Sequence, residues 1–180
     1  QMIIGNFFKQ IKPEYKKHKF TGLSFDSLKC KKGDIFFAIN GTVIDGNKFI
    51  SHAIQKGART IISSQEFEGI KKNILYIKSP NVRKLLSKVS YTLYKSKPKN
   101  IIAVTGTNGK SSIADFYFQI LKLNKVKVAS IGTLGIKKGN YVKSVSNTTI
   151  DSIKLSKVLN ELKKENIDNV ILEASSHGLK

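Results

Sequence analysis

Between residues 105 and 112 the chain reads Thr-Gly-Thr-Asn-Gly-Lys-Ser-Ser. Two glycines three apart, then a lysine and two hydroxyls, are residue types suited to holding a polyphosphate. Gly106 and Gly109 let the backbone fold tightly and aim its N–H groups, with those of Thr107 and Asn108, at phosphate oxygens. Lys110 adds a point charge able to reach the terminal phosphates. Ser111 and Ser112 supply hydroxyls, one of them a candidate ligand for Mg²⁺. The longer pattern G-x-x-x-x-G-K-[ST] would require glycine at position 104, where Val104 stands, so this is a shorter Gly-x-x-Gly-Lys-Ser form. The competing explanation is a glycine-rich turn that merely precedes a helix. A second chemical group is Glu173, in Val170-Ile171-Leu172-Glu173-Ala174. A carboxylate closing an apolar strand is costly unless something pairs it. A strand end beside a phosphate loop is where a magnesium-binding acid belongs. A carboxylate held by lysine or backbone donors is the alternative.

The elements around these residues set their context. Asn100 to Thr105 reads as a strand, and a helix is expected from about Ser111 to Leu123. A strand before the loop and a helix after it favour phosphate binding over a chance turn. Val126 to Ile131 is a second strand, and Gly132 to Ser144 a turn or hairpin. Asp151 to Glu165 is an amphipathic helix with Ile153, Leu155, Val158, Leu159 and Leu162 inside, and Asp168 to Ala174 a third strand. Strand–helix–strand–helix–strand argues for a parallel sheet, which binds ligands at the carboxyl ends of its strands. The charged stretch Lys95-Ser96-Lys97-Pro98-Lys99 reads as a linker, giving expected domains of 1–97 and 98–180. In the first, Asp34 to Ile39, Thr60 to Ile62 and Ile74 to Ile77 are strand candidates, and Gly41 to Gly46 a turn. Lys48 to Lys56 suits a short helix, and Val82, Leu85, Leu86, Val89 and Leu93 follow a helical stripe. The expected class is α/β: a small α/β module, then the first part of a P-loop parallel-sheet domain.

Composition bounds the rest. At roughly 100–200 residues per domain, 180 residues admit one domain or two small ones. Apolar runs such as Ile35 to Ile39 fall far short of the ~20 residues that span a bilayer. Met2-Ile3-Ile4-Gly5 does not open a signal peptide. One cysteine, Cys30, excludes an intramolecular disulfide and a multi-cysteine zinc site. The expectation is a soluble cytoplasmic protein without membrane insertion. The net charge of +20 suggests a polyanion partner, but 30 of the 32 basic residues are Lys. Base readout leans on Arg, and only Arg59 and Arg83 are present. With 23 Ile and 13 Asn alongside, the charge reads as codon bias and a solvated Lys-rich surface, and no nucleic-acid partner is expected. The charge still helps draw in a phosphorylated substrate.

The Thr105-to-Ser111 loop resembles the ATP loop of the Mur ligases and their relatives, the folylpolyglutamate synthases and cyanophycin synthetases. Asn147-Thr148-Thr149 and Glu173-Ala174-Ser175-Ser176-His177-Gly178-Leu179 resemble the branch that extends UDP-N-acetylmuramoyl-L-alanyl-D-glutamate by a third amino acid. Phe25-Asp26-Ser27, Lys32-Gly33-Asp34-Ile35-Phe36-Phe37-Ala38, Gly41, Asp45-Gly46 and Phe49-Ile50 are similar to that branch's N-terminal uridine-binding domain. The resemblance implies ATP and Mg²⁺ as cofactors, and UDP-MurNAc-L-Ala-D-Glu and a diamino acid (meso-diaminopimelate or L-lysine) as partners. It also implies an acyl-phosphate route to the new amide and a monomeric full-length enzyme in peptidoglycan precursor synthesis. By position, Lys110 and Glu173 are the implied catalytic residues, Ser111 and Glu173 the metal ligands, and 106–112 the ATP loop. Phe25, Ser27, Thr42, Val43 and Ile44 match uridine-nucleotide contacts. Asn147, Thr148, Thr149 and Ser175 match muramoyl-dipeptide contacts, and His177 either touches substrate or braces its loop. His18 and His52 read as structural.

Three departures qualify this. Leu28 stands where the family usually has arginine, weakening any guanidinium contact to the diphosphate. Thr42-Val43-Ile44 replaces more polar residues, so contacts there fall to the backbone. Ser111-Ser112 replaces Thr-Thr, which keeps the hydroxyl. The chain also stops inside the central ATPase domain, so the C-terminal amino-acid-binding domain is expected to be absent and ligation by these residues alone is not expected. Other readings are a folylpolyglutamate- or cyanophycin-synthetase-like ATPase and a non-catalytic UDP-sugar-binding module. The first should lack the uridine module and the Ser-Ser-His-Gly-Leu segment. The second should bind UDP-sugar without magnesium-dependent ATP binding.

Overall fold

The structure, a computed structural model, describes residues 1–41, 44–143 and 151–174. The chain divides into two compact units, Gln1–Leu93 and Tyr94–Lys180.

The first unit contains β1 (Met2–Ile3), β2 (Lys19–Phe20), β3 (Leu23–Ser24), β4 (Ile35–Phe37), α1 (Ile50–Gln55), β5 (Thr60–Ser63), β6 (Gly69–Lys71), β7 (Ile74–Lys78) and α2 (Val82–Leu93). Its main sheet runs β3-β4-β5-β7-β6, with β3, β4, β5 and β7 parallel and β6 antiparallel to β7. Every residue of β4 and β5 is buried, as parallel strands covered on both faces require. That explains why β4 is a continuous apolar run, and why β5 sets Ile61-Ile62 between a buried Thr60 and a buried Ser63 rather than alternating. Phe36, Ala38 and Ile61 pack with Ile50 and Ala53 of α1 on one side. Asn81 caps α2 by accepting from Lys84 N at 2.8 Å. The β6–β7 turn is Lys72-Asn73, both with positive φ, 49° and 61°. Two left-handed residues in a two-residue loop match the strand twist of a hairpin. Cys30 lies in the core, where burial is the main cause pushing its thiol up to about 11. It therefore stays protonated and inert near neutral pH.

The second unit contains β8 (Asn100–Val104), α3 (Lys110–Leu123), β9 (Val128–Gly132), β10 (Gly135–Lys138), β11 (Tyr141–Lys143), α4 (Ser152–Lys164) and β12 (Asn169–Glu173). The sheet order is β11-β10-β9-β12-β8. β8, β12 and β9 are parallel, and β9-β10-β11 is an antiparallel meander. The turn or hairpin expected between Gly132 and Ser144 is present as the β10–β11 hairpin, which extends the sheet from β9. α4 starts at Asp151, whose side chain accepts from Lys154 N at 2.8 Å. Its Val158, Leu159 and Leu162 pack on Ala129, Ile131 and Val170. Both crossover helices stop alike. Lys125 and Asn166 turn left-handed, and the next apolar residue bonds back: Val126 N to Leu121 O, and Ile167 N to Leu162 O. These reciprocal bonds end a helix and feed the chain into the following strand. α3 buries Ala114 and Phe118, but Ile113, Phe116, Ile120 and Leu123 form an exposed stripe, and Ile101 and Ile102 of the outer strand β8 are also exposed.

Candidate functional sites at the carboxyl ends of two sheets

In the second unit, β12 pairs with β8 so that Glu173 lies opposite Val104 and Leu172 opposite Ala103. The carboxylate therefore arises beside the residue that opens the glycine loop. Gly106 and Gly109 have φ of 151° and 77°, a region that non-glycine residues rarely adopt. Among the described residues, a Cβ at Gly109 would meet nothing within 4 Å, so it is the backbone conformation that calls for glycine there. Gly109 is also the N-cap of α3 and, as glycine, brings no side chain to cap the first turn. The first N–H groups of a helix lack intrahelical acceptors and carry the positive end of its dipole. Thr107 and Asn108 sit exposed on the loop crest.

Lys110, the first residue of α3, turns its ammonium onto the loop, donating to Gly106 O at 2.5 Å and Thr107 O at 3.4 Å. An ammonium has three donors, so it can brace the loop and still meet a phosphate. Ser111 Oγ donates to Glu173 Oε2 at 2.7 Å. A hydroxyl and a carboxylate oxygen converging at the mouth of a phosphate loop form a hard-oxygen pair. Mg²⁺ takes such a pair along with water and phosphate oxygens, so the donor set fits that ion. Ser112 is exposed on the same turn.

In the first unit, Phe25 and Ser27 follow the carboxyl end of β3, and Ile44 lies in the turn after β4. Phe25 and Ile44 are exposed, whereas Ser27 is buried. Asp26 accepts from Leu28 N at 3.0 Å, which fixes the turn that presents Ser27. Leu28 points to solvent. Asn47 donates to Asn40 Oδ1 at 2.9 Å, and Asn40 donates to Ser64 Oγ at 3.2 Å, tying the ends of β4 and β5 together. Gly46 lets the turn close on the strand: a Cβ there would lie 2.4 Å from Ile39 O.

His52 is expected from the sequence to be structural. Its Nδ1 lies 3.0 Å from Ser27 Oγ, so it contacts one of the expected ligand residues directly. The sequence places residue 52 on a helix, and nothing in it pairs that residue with residue 27. Thr42, Val43, Asn147, Thr148, Thr149, Ser175 and His177 lie outside the described residues.

Two family models match, one within each unit. Residues 19–93 match the model described as Mur ligase family, catalytic domain, and residues 104–180 match the Mur ligase middle domain. The chain belongs to the Mur ligase family. Among curated Mur ligases it is 39% identical, over 173 residues, to the UDP-N-acetylmuramoyl-L-alanyl-D-glutamate--2,6-diaminopimelate ligase of Rickettsia montanensis, covering 94% of this chain and 36% of that protein. The ligase of the same name from Bradyrhizobium diazoefficiens is 36% identical over 177 residues, covering 98% of this chain and 36% of its own length. The chain thus spans about a third of the length of the relatives it matches. A solved structure titled as a ligase of that same name superposes with a TM-score of 0.77 at 30% identity, covering 94% of this chain and 35% of that one. The MurF ligase of Thermotoga maritima, solved with ADP, shares the fold, with a TM-score of 0.56 at 21% identity over 88% of this chain and 32% of its own. The α/β architecture expected from the sequence is the Mur ligase one. Among the described residues, no helix is long and apolar enough to cross a membrane.

Proposed function

We propose that this chain carries the uridine-nucleotide-binding and ATP-binding parts of a cytoplasmic, ATP-dependent ligase. That ligase joins a diamino acid to UDP-N-acetylmuramoyl-L-alanyl-D-glutamate in peptidoglycan precursor synthesis. Diaminopimelate is the diamino acid in the names of its relatives. The domains are residues 1–97 for the UDP-sugar and 98–180 for ATP. The observation that carries the reading is the 2.7 Å bond between Ser111 and Glu173 at the mouth of the glycine loop.

In this reading a carboxylate oxygen of the D-glutamyl side chain attacks the γ-phosphorus of ATP and ADP departs, giving an acyl phosphate. The amine of the diamino acid then attacks the acyl carbon, loses a proton, and expels phosphate. Two anions must approach in the first step, so catalysis rests on positioning and charge neutralisation. Lys110 and the N–H groups from Gly106 to Ser112 hold the phosphates and offset their charge. Ser111 and Glu173 would hold Mg²⁺, which supplies further neutralisation of the phosphate oxygens. Phe25, Ser27, Thr42, Val43 and Ile44 take the uridine nucleotide. Asn147, Thr148, Thr149, Ser175 and His177 take the muramoyl-dipeptide, whose carbonyls and carboxylates suit hydroxyl and amide donors.

Titration calorimetry on the 180-residue polypeptide tests this with a non-hydrolysable ATP analogue, with and without Mg²⁺, and separately with UDP-MurNAc-L-Ala-D-Glu. Magnesium-dependent uptake of the analogue and independent uptake of the UDP ligand are expected. A folded chain that ignores the analogue would sink the ATP assignment. Uptake of the UDP ligand alone would favour a non-catalytic UDP-sugar module.

A further inference from the structure

Gly132 ends β9, one residue beyond the Ile131–Leu172 pair that joins β9 to β12, and so it lies beside Glu173. Its backbone is outside the left-handed region, so conformation does not demand glycine there. Among the described residues, the nearest obstacle to a side chain there is a single flexible side chain. The three heavy atoms nearest to a Cβ built on Gly132 all belong to the Glu173 side chain: Oε1 at 2.1 Å, Cδ at 2.6 Å and Cγ at 3.1 Å. The space left by the missing methyl is occupied by the carboxyl group whose other oxygen accepts from Ser111. Gly46 is the opposite case, since its three nearest atoms are all backbone.

We infer that Gly132 is a positioning residue for the metal and nucleotide site: its lack of a side chain selects the rotamer in which Glu173 lies across the end of β9 and presents its carboxylate to Ser111. The inference rests on the nucleotide reading above and extends it to a residue that touches neither ligand. Adding a methyl at 132 forces Glu173 into another staggered rotamer. The displaced group is the end of a flexible side chain, so the fold survives while the oxygen pair is broken.

The test is a double-mutant cycle on the 180-residue polypeptide, using Gly132→Ala, Glu173→Gln and the pair together. The readouts are the Mg²⁺ concentration giving half-maximal binding of the non-hydrolysable ATP analogue, and the melting temperature. Gly132→Ala should raise the Mg²⁺ midpoint about tenfold or more, as loss of a group that orients a metal ligand does. Glu173→Gln should do likewise, and the pair should add little beyond either change. An unchanged midpoint in Gly132→Ala, with a raised one in Glu173→Gln, overturns the inference and leaves the ATP reading intact. An unchanged midpoint in Glu173→Gln overturns the metal reading itself. Should Gly132→Ala melt early, Gly132→Ala/Glu173→Ala decides. A melting temperature restored to that of Glu173→Ala supports a clash with the carboxylate alone. One that stays low places the clash elsewhere and rejects the proposal.

Discussion

The two units set their candidate ligand residues at the same place, the carboxyl ends of parallel strands, but hold them in opposite ways. In the first unit polar side chains brace one another: Ser27 against His52, and Asn47 through Asn40 to Ser64. In the second, much of the work falls to side chains that are missing. Gly106 and Gly109 free the loop backbone, and Gly132 leaves the room that Glu173 fills. A braced site should lose affinity by small steps when single partners are removed. A site shaped by glycines and two long polar side chains should fail abruptly.

The largest expected effect is therefore in the second unit. Lys110→Ala removes a charged donor from the loop and should weaken binding of the ATP analogue on the order of ten- to a hundredfold, about 1.5–3 kcal/mol. Calorimetry reads this directly, and binding of the UDP ligand should not change. Equal loss of both ligands would mean that the chain had unfolded and would erase the contrast between the units.

Next comes Gly46→Ala, whose methyl would press on the backbone of Ala38 and Ile39. Forcing a group into packed backbone costs about 1–3 kcal/mol. Urea titration should show that loss. Cys30, buried and protonated in the same unit, should react faster with a thiol reagent in this variant. Unchanged labelling would show that the turn tolerates the methyl.

A smaller effect is expected from His52→Ala. It removes one hydrogen bond, worth about 1 kcal/mol, and should weaken the UDP ligand by roughly fivefold. His52→Asn, with a side-chain amide in reach of Ser27, should recover part of it. Binding equal to that of the unaltered chain would return His52 to a purely structural role.

The smallest concerns acid. Asp168 is held below the ordinary aspartate value of 3.8, first by its hydrogen bond from Lys163, then by Lys99 N–H and the nearby positive charges, against a desolvation that raises it. Asp115 is lowered in the same way by Lys137. A depressed folded value means that the stabilisation is present above 3.8 and disappears as pH falls through the folded value. Both pairs are partly exposed and so screened by solvent, and the slope should be slight. Asp168→Asn should flatten the acid limb of the melting curve below that pH. A limb identical to that of the unaltered chain would show that the pair contributes nothing.

What the sequence made legible follows the same contrast. The glycine loop could be read because its function lies in the backbone, and backbone freedom is written into residue type at fixed spacing. The strands Ile35–Phe37, Thr60–Ser63 and Ile74–Lys78 could be read because each is built on a compact apolar or β-branched stretch, as buried strands are. β6 could not, since its pairing is set by a left-handed turn at Lys72-Asn73 that carries no glycine. The helix expected from Lys48 to Lys56 is a 3-10 turn over Gly46–Phe49 leading into α1. Asp45 accepts from Asn47 N two residues on, which starts the tighter turn early. The pairings of Ser27 with His52 and of Gly132 with Glu173 join segments 25 and 41 residues apart, and no local pattern marks such meetings.

The stripe along α3 has a consequence for how the polypeptide behaves in a tube. Phe116 and Leu123 are 67% and 80% exposed on a molecule carrying +20 charges. In dilute buffer, like charge keeps copies apart. Adding salt shortens the reach of that repulsion to about 10 Å at 0.1 M, and sulfate also strengthens apolar association. The polypeptide should therefore scatter more light as ammonium sulfate rises, and Phe116→Ser/Leu123→Ser should move the onset to higher salt.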